Sequence, residues 1–212
     1  MDYKNKPWEL WQHLRSAEYH TSEYCKLDWN IEIDDENKKI RAIFQESRQP
    51  IDWILNFVFM LIPAIIGGTP YNFSLGWWIS WCSAKELVMH NIMSEWEKHN
   101  DYDIQVCGYS FGGAIAQICG IEIFERMGIK SELITFGAPK PLFGLWTKFL
   151  TRRCFTEITQ YANWSDIVTW CIPLIGYHGT KIKRLGKFSL KKLLFDAPNQ
   201  HQIYGNVDFY KE

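Results

Sequence analysis

An α/β architecture, with a largely parallel central sheet and helices on both of its faces, is predicted by two observations along the 212 residues. Short runs of strand character alternate with longer stretches of helical periodicity. The run "VCGYSFGGAIAQ" (residues 106–117) also passes from an apolar strand, through two glycines, straight into helix-forming residues. A chain of this length with 47% apolar residues can bury a sizeable core, so one domain over residues 1–212 is expected.

In chain order, residues 7–24 read as a helix: Pro7 suits a first turn, and Trp8, Trp11 and Leu14 recur at helical spacing. "IEI" and "KIRAIF" flank the polar "DDENK" and predict a β-hairpin. Ser83 with Glu86 three places on has the form of a capping box, opening a helix to about Lys98 with Leu87, Val88, Ile92 and Trp96 near its buried side. "YDIQVCGY" is a strand, and residues 111–127 form a helix stopped by Gly128. "SELITF" (131–136) and "FTEITQYA" (155–162) are further strands.

Composition excludes some functions. A formal net charge of -1, with neither a Cys-x-x-Cys pair nor an RNA-binding aromatic signature, argues against nucleic acid as a partner. The first residues show no continuous apolar core and no small-residue cleavage site, and the six cysteines (Cys25, Cys82, Cys107, Cys119, Cys154, Cys171) are scattered in mostly apolar surroundings. Free thiols and a cytoplasmic location are therefore expected. Aromatics reach 16%, which suits either a heavy core or a surface that meets lipid.

The chemistry centres on Ser110. Gly-x-Ser-x-Gly between a strand and a helix is the setting of a nucleophile elbow, where Gly108 and Gly112 leave no Cβ to clash in a sharp turn. The helix start adds partial positive charge and free N–H groups where an oxyanion forms. A serine hydroxyl attacks only if a base takes its proton, which requires a histidine and an orienting carboxylate downstream. Asp166, in the polar turn "NWSD" after a strand, fits the acid, although an Asp in such a turn often bonds only its own backbone. Two histidines follow: His178 in "GYHGT" and His201 in "NQHQIYGN". Phe111, next after the serine, places its backbone N–H at the oxyanion.

Four stretches together resemble the class 3 lipase family, the fungal triacylglycerol lipase type of α/β-hydrolase. "GYSFGGAIA" is similar to its elbow, "ITFGAPKP" to its Thr-Phe-Gly-x-Pro-Arg segment, "RAIFQESRQPIDWILN" to its oxyanion strand and loop, and "NWSDIVTWCIP" to its acid segment. The likeness covers about residues 30–205. It implies Ser110, Asp166 and His201 as the triad, since the family's His followed by Tyr is matched by His201 and Tyr204. It also implies Ser47 as the second oxyanion donor beside Phe111, and lipid carboxylic esters as substrates, with no metal or cofactor required. The chain departs from the pattern at Gln45-Glu46, where the family has Arg-Gly, at Tyr109, where it has His, and at "FSLGW", where it has His-x-Gly-Phe.

The apolar run "WILNFVFMLIPAII" (residues 53–66) is too short to span a bilayer and lies where the family places its lid; a mobile lid and a buried helix over the sheet are both open. "KIKRLGKFSLKK" (181–192) carries six Lys/Arg and no acid, interleaved with apolar residues. It reads as a solvated face or as a contact with an anionic membrane surface. An acyltransferase or thioesterase would use the same triad, and a binding protein that has lost turnover would keep the same fold.

Overall fold

The computed structural model describes residues 6–45, 60–170, 176–177 and 182–211. The hairpin forms as expected: β2 (Asp28–Asp34) pairs antiparallel with β3 (Lys39–Phe44). From β3 onward the main sheet is parallel, running through β6 (Asp103–Tyr109), β7 (Ser131–Phe136), β9 (Phe155–Asn163) and the edge strand β11 (Ile182–Leu185). A two-residue β1 (His20–Thr21) closes the other edge, giving the order β1-β2-β3-β6-β7-β9-β11.

Strand alternation divides the core in two. Ala42, Phe44, Ile104, Val106 and Leu133 face one cluster, built against α2 (Leu75–Cys82), α3 (Lys85–Lys98) and α4 (Phe111–Met127). Ile43, Cys107, Tyr109, Ile134 and Phe136 face the other, built against Leu10, Trp11 and Leu14 of α1 (Pro7–Ser16) and against Tyr204 and Phe209 near the C-terminus. Helices therefore cover both faces of a mostly parallel sheet. Helix α4 is buried on all sides through Ile123, as its apolar sequence requires, and Gly128 at φ 71 ends it. Its single buried acid, Glu122, is satisfied by Arg126 at 2.6 Å and by the Trp81 indole N–H at 3.1 Å.

Several expectations need correction. Helix α1 stops at Ser16 rather than running to residue 24: the Ser16 hydroxyl donates back to the Gln12 and His13 carbonyls, and Ala17 turns extended to feed β1. The Ser83 and Glu86 box does not form. An unforeseen helix, α2, ends just before it, so the Ser83 hydroxyl donates to the Ser80 carbonyl and to Ser22, while Glu86 pairs with Arg126. Leu87 is exposed, whereas Val88 and Ile92 are buried.

The largest difference lies in the apolar run. Residues 53–59 are outside the described residues, but Leu61–Ile66 is strand β4 rather than part of a helix. It pairs antiparallel with β5 (Thr69–Ser74) across Gly67-Gly68, both at positive φ, as a tight two-residue hairpin needs. Alternating burial gives β4 an inner face on the core and an outer face carrying Leu61 and Ile65. With β8 (Leu142–Phe143) and β10 (Gly176–Tyr177) it makes a second, four-stranded sheet that periodicity did not reveal, and α5 (Leu145–Arg152) follows β8. Among the described residues no helix is long and apolar enough to cross a membrane.

Of the cysteines, Cys107, Cys119 and Cys154 are buried free thiols, Cys25 is half-buried and Cys82 exposed. Burial pushes Cys107 up to about 12 and Cys154 to about 11, which keeps both as unreactive thiols.

Candidate active site

Strand β6 ends at Tyr109 and α4 begins at Phe111, so the whole turn is Ser110, held at φ 54 and ψ -123. A non-glycine residue there costs about 1–3 kcal/mol, which the surrounding packing must overcome. The turn is pinned from both sides: the Ser110 N–H donates to the Phe136 carbonyl at 2.8 Å, and the Gly113 N–H to the Ser110 carbonyl at 3.0 Å. The flanking glycines are required by space. A Cβ on Gly108 would lie 2.2 Å from the Gly112 carbonyl oxygen, and one on Gly112 would lie 2.3 Å from that of Phe44. Gly108→Ala is accordingly expected to destabilise the protein by about 1–3 kcal/mol or more, read as a lowered midpoint of thermal unfolding.

Two distant segments meet Ser110. His201 lies on a short helix, α7 (Ala197–Gln202), and its Nε2 is 2.7 Å from Ser110 Oγ. Its Nδ1 is 2.8 Å from Asp166 Oδ2. A carboxylate oxygen accepts, so the ring proton sits on Nδ1 and Nε2 is left free to accept from the serine hydroxyl. Asp166 is fully buried just after β9. Its Oδ1 accepts from the Val168 N–H at 3.0 Å, the local bond such a turn favours, while Oδ2 is directed at the histidine.

Two tyrosines hold this arrangement, and sequence reasoning gave neither of them that part. The Tyr204 hydroxyl donates to Asp166 Oδ2 at 2.7 Å and accepts from the Asn163 N–H at 2.9 Å. Burial and the Asp166 carboxylate push its phenol well above the ordinary range, so it stays a donor. The Tyr109 ring stacks on the His201 imidazole at 5.0 Å, and its hydroxyl donates to the His201 carbonyl at 2.7 Å. Gly137 of "ITFGAPKP", at φ 55, leaves the room the triad needs: a Cβ would come within 2.9 Å of His201 and 3.0 Å of Asp166.

Tyr204→Phe removes a donor to a buried carboxylate and leaves the Asn163 N–H unmatched. It is expected to cost about 1–3 kcal/mol in denaturant unfolding and to lower kcat several-fold.

Of the residues expected at an oxyanion, Phe111 is the first residue of α4, where backbone N–H groups have no acceptor within the helix. Ser47 and the alternative base His178 lie outside the described residues. Gln45, where the family pattern has Arg, is buried, and neither its amide nitrogen nor its oxygen has a hydrogen-bond partner among the described residues. Among those residues no group of His, Cys, Asp and Glu is placed to hold a metal ion.

The lipase (class 3) family model matches residues 42–174, more than half of the chain. The chain belongs to the class 3 lipase family. A lipase of Rhizomucor miehei is 27% identical over 112 residues, covering 50% of this chain and 30% of that protein. Lipase A of Sodiomyces alcalophilus is 30% identical over 66 residues, 31% of this chain and 16% of that one. The matched part of this chain thus spans under a third of either curated relative. Among solved structures, the Rhizomucor miehei lipase in its propeptide complex superposes with TM-score 0.70 at 17% identity, covering 81% of this chain and 56% of that one. A triacylglycerol lipase whose catalytic centre is a serine protease triad superposes with TM-score 0.65 at 19% identity, covering 74% and 60%. These likenesses establish the α/β-hydrolase fold, as the resemblance implied.

Proposed function

We propose that this member of the class 3 lipase family hydrolyses carboxylic esters of lipids through an acyl-enzyme, with Ser110 as nucleophile, His201 as base and Asp166 as the orienting acid. The observation that carries the reading is the chain of contacts from Ser110 Oγ to His201 at 2.7 Å and from His201 to Asp166 at 2.8 Å, set on a strained strand-to-helix turn. Ser110 Oγ attacks the ester carbonyl as its proton passes to His201 Nε2. The oxyanion is met by the Phe111 N–H, with Ser47 as the second donor. As the tetrahedral centre collapses, His201 returns the proton to the departing alcohol, and water repeats the sequence to release the acid.

Lipid esters are favoured over small soluble ones by family membership, and peripheral contact with a membrane surface belongs to the same reading. Labelling with a fluorophosphonate probe tests the nucleophile, with the adduct located by mass spectrometry of the digested protein. The expected result is a single adduct on Ser110. Absence of any adduct would leave a lipase-like binding protein without turnover. A chain-length series of fluorogenic esters tests the substrate class, and a steady fall in kcat/KM from short to long acyl chains would overturn the lipid assignment.

A further inference from the structure

Between the edge strand β11 and the helix that carries His201 lies a segment with no share in the core. It includes the six-residue helix α6 (Leu190–Phe195), and none of the residues of α6 is buried. Phe188, Leu190, Leu194 and Phe195 are 56%, 59%, 58% and 81% exposed. Four large apolar side chains within eight positions is an arrangement that water disfavours unless the surface is used for contact. Leu190 and Leu194 stand one turn apart on one side of the helix.

Lys187, Lys191 and Lys192 are interleaved with them, all three exposed, and no acidic residue occurs from 182 to 195. Among the described residues no carboxylate forms an ion pair with these three ammonium groups; Asp196 is hydrogen-bonded by Asn199 and Gln200, and Asp208 pairs with Lys211. Lys187 and Lys192 also line a cavity of about 290 Å³, together with Asn163, Gln200, Asp208 and Phe209.

We infer that residues 187–195 form a docking surface for an anionic phospholipid bilayer, the apolar side chains entering the acyl boundary and the lysines meeting lipid phosphates. Charge selects this occupant: Asp196 lies near enough for Lys192 to help hold its carboxyl low, but Lys187, Lys191 and Lys192 are exposed and in no direct ion pair among the described residues, and apolar anchors flanked by such ammonium groups fit a negatively charged lipid surface better than an apolar protein face, which would strand the charges. The surface also has a direct relation to the site, because α7, with His201, follows α6 after one residue. Strand β11, which leads into this segment, also runs parallel to β6 through β9 and β7, so the segment leaves the sheet at the same edge as the Ser110 turn, and a bilayer seated on α6 would face that edge. The inference deepens the lipid-ester reading and depends on it for its purpose, but its test reads binding, so either can fail alone.

The test uses the full chain carrying Ser110→Ala, which cannot consume the vesicles. Sedimentation is compared between vesicles of phosphatidylcholine alone and vesicles in which about a third of the lipid is phosphatidylserine. Binding to the anionic vesicles is expected to be at least tenfold tighter and to weaken as salt is raised. Replacing Lys187, Lys191 and Lys192 together by Gln should lower that affinity by roughly 100-fold, at about fivefold for each charge near the surface.

Phe188→Ser with Phe195→Ser should weaken binding to both vesicle types. Trp146→Ser with Phe149→Ser, on the exposed face of α5, should leave it unchanged. These residues are all exposed, and unaltered thermal unfolding would verify that the variants fold. No binding, equal binding to both vesicle types, or loss through the Trp146 and Phe149 pair but not the lysine triple would each overturn the inference.

Discussion

Ser110→Ala is expected to leave the fold intact and to lower ester turnover by about six orders of magnitude, the scale set by loss of the nucleophile in a triad whose members act as a unit. Alanine keeps the Cβ, so the strain at φ 54 and the packing of the elbow persist, and only the 2.7 Å contact with His201 disappears. One hydrogen bond is worth about 1 kcal/mol, so the unfolding midpoint should move by only a few degrees. Turnover responds differently. With no Oγ, no acyl-enzyme can form, and the remaining donors, Phe111 N–H first among them, can only polarise an ester for attack by water. Measuring kcat/KM on a fluorogenic ester, together with fluorophosphonate labelling, checks this; labelling that survives the substitution would place the nucleophile elsewhere.

Much of the parallel sheet was legible because its signals are local. Residues 131–136 form a strand with the expected bounds, and residues 111–127 a helix, since an apolar run bounded by a glycine C-cap leaves little choice of partner. The proposed triad was harder to read. Ser110 announces itself through flanking glycines, but Asp166 and His201 are 35 residues apart and meet only through tertiary packing. Local chemistry left Asp166 with a purely structural alternative and His201 with a rival, and the family resemblance rather than periodicity separated them.

The second sheet was missed for a related reason. Residues 61–66 lie inside a longer apolar run, and the Gly67-Gly68 turn that makes them one arm of a hairpin falls just beyond it. Ser83 shows the converse: a good local capping pattern yields when a preceding helix already occupies the serine hydroxyl. Tyr109 and Tyr204 were visible as a departure and as a match, yet what they do depends on a stacking distance and a hydrogen bond that no spacing encodes.

The second large effect is expected at the base. His201→Ala should reduce kcat/KM by roughly 10⁴- to 10⁶-fold, whereas His178→Ala should stay within about tenfold. His201 joins three groups: it accepts the Ser110 proton, it donates to the buried Asp166, and its ring packs on Tyr109. Without it the serine keeps its proton, and among the described residues the Asp166 carboxylate retains the Tyr204 hydroxyl and the Val168 N–H as donors. Those two bonds are what should let the variant fold, so near-ultraviolet circular dichroism resembling the parent's would assign the kinetic loss to chemistry. Asp166→Asn gives an intermediate case, with a loss of about 10⁴-fold, because the amide no longer fixes the ring proton on Nδ1. A larger loss from His178→Ala than from His201→Ala would move the base to His178 and make the 2.7 Å contact at Ser110 incidental to turnover.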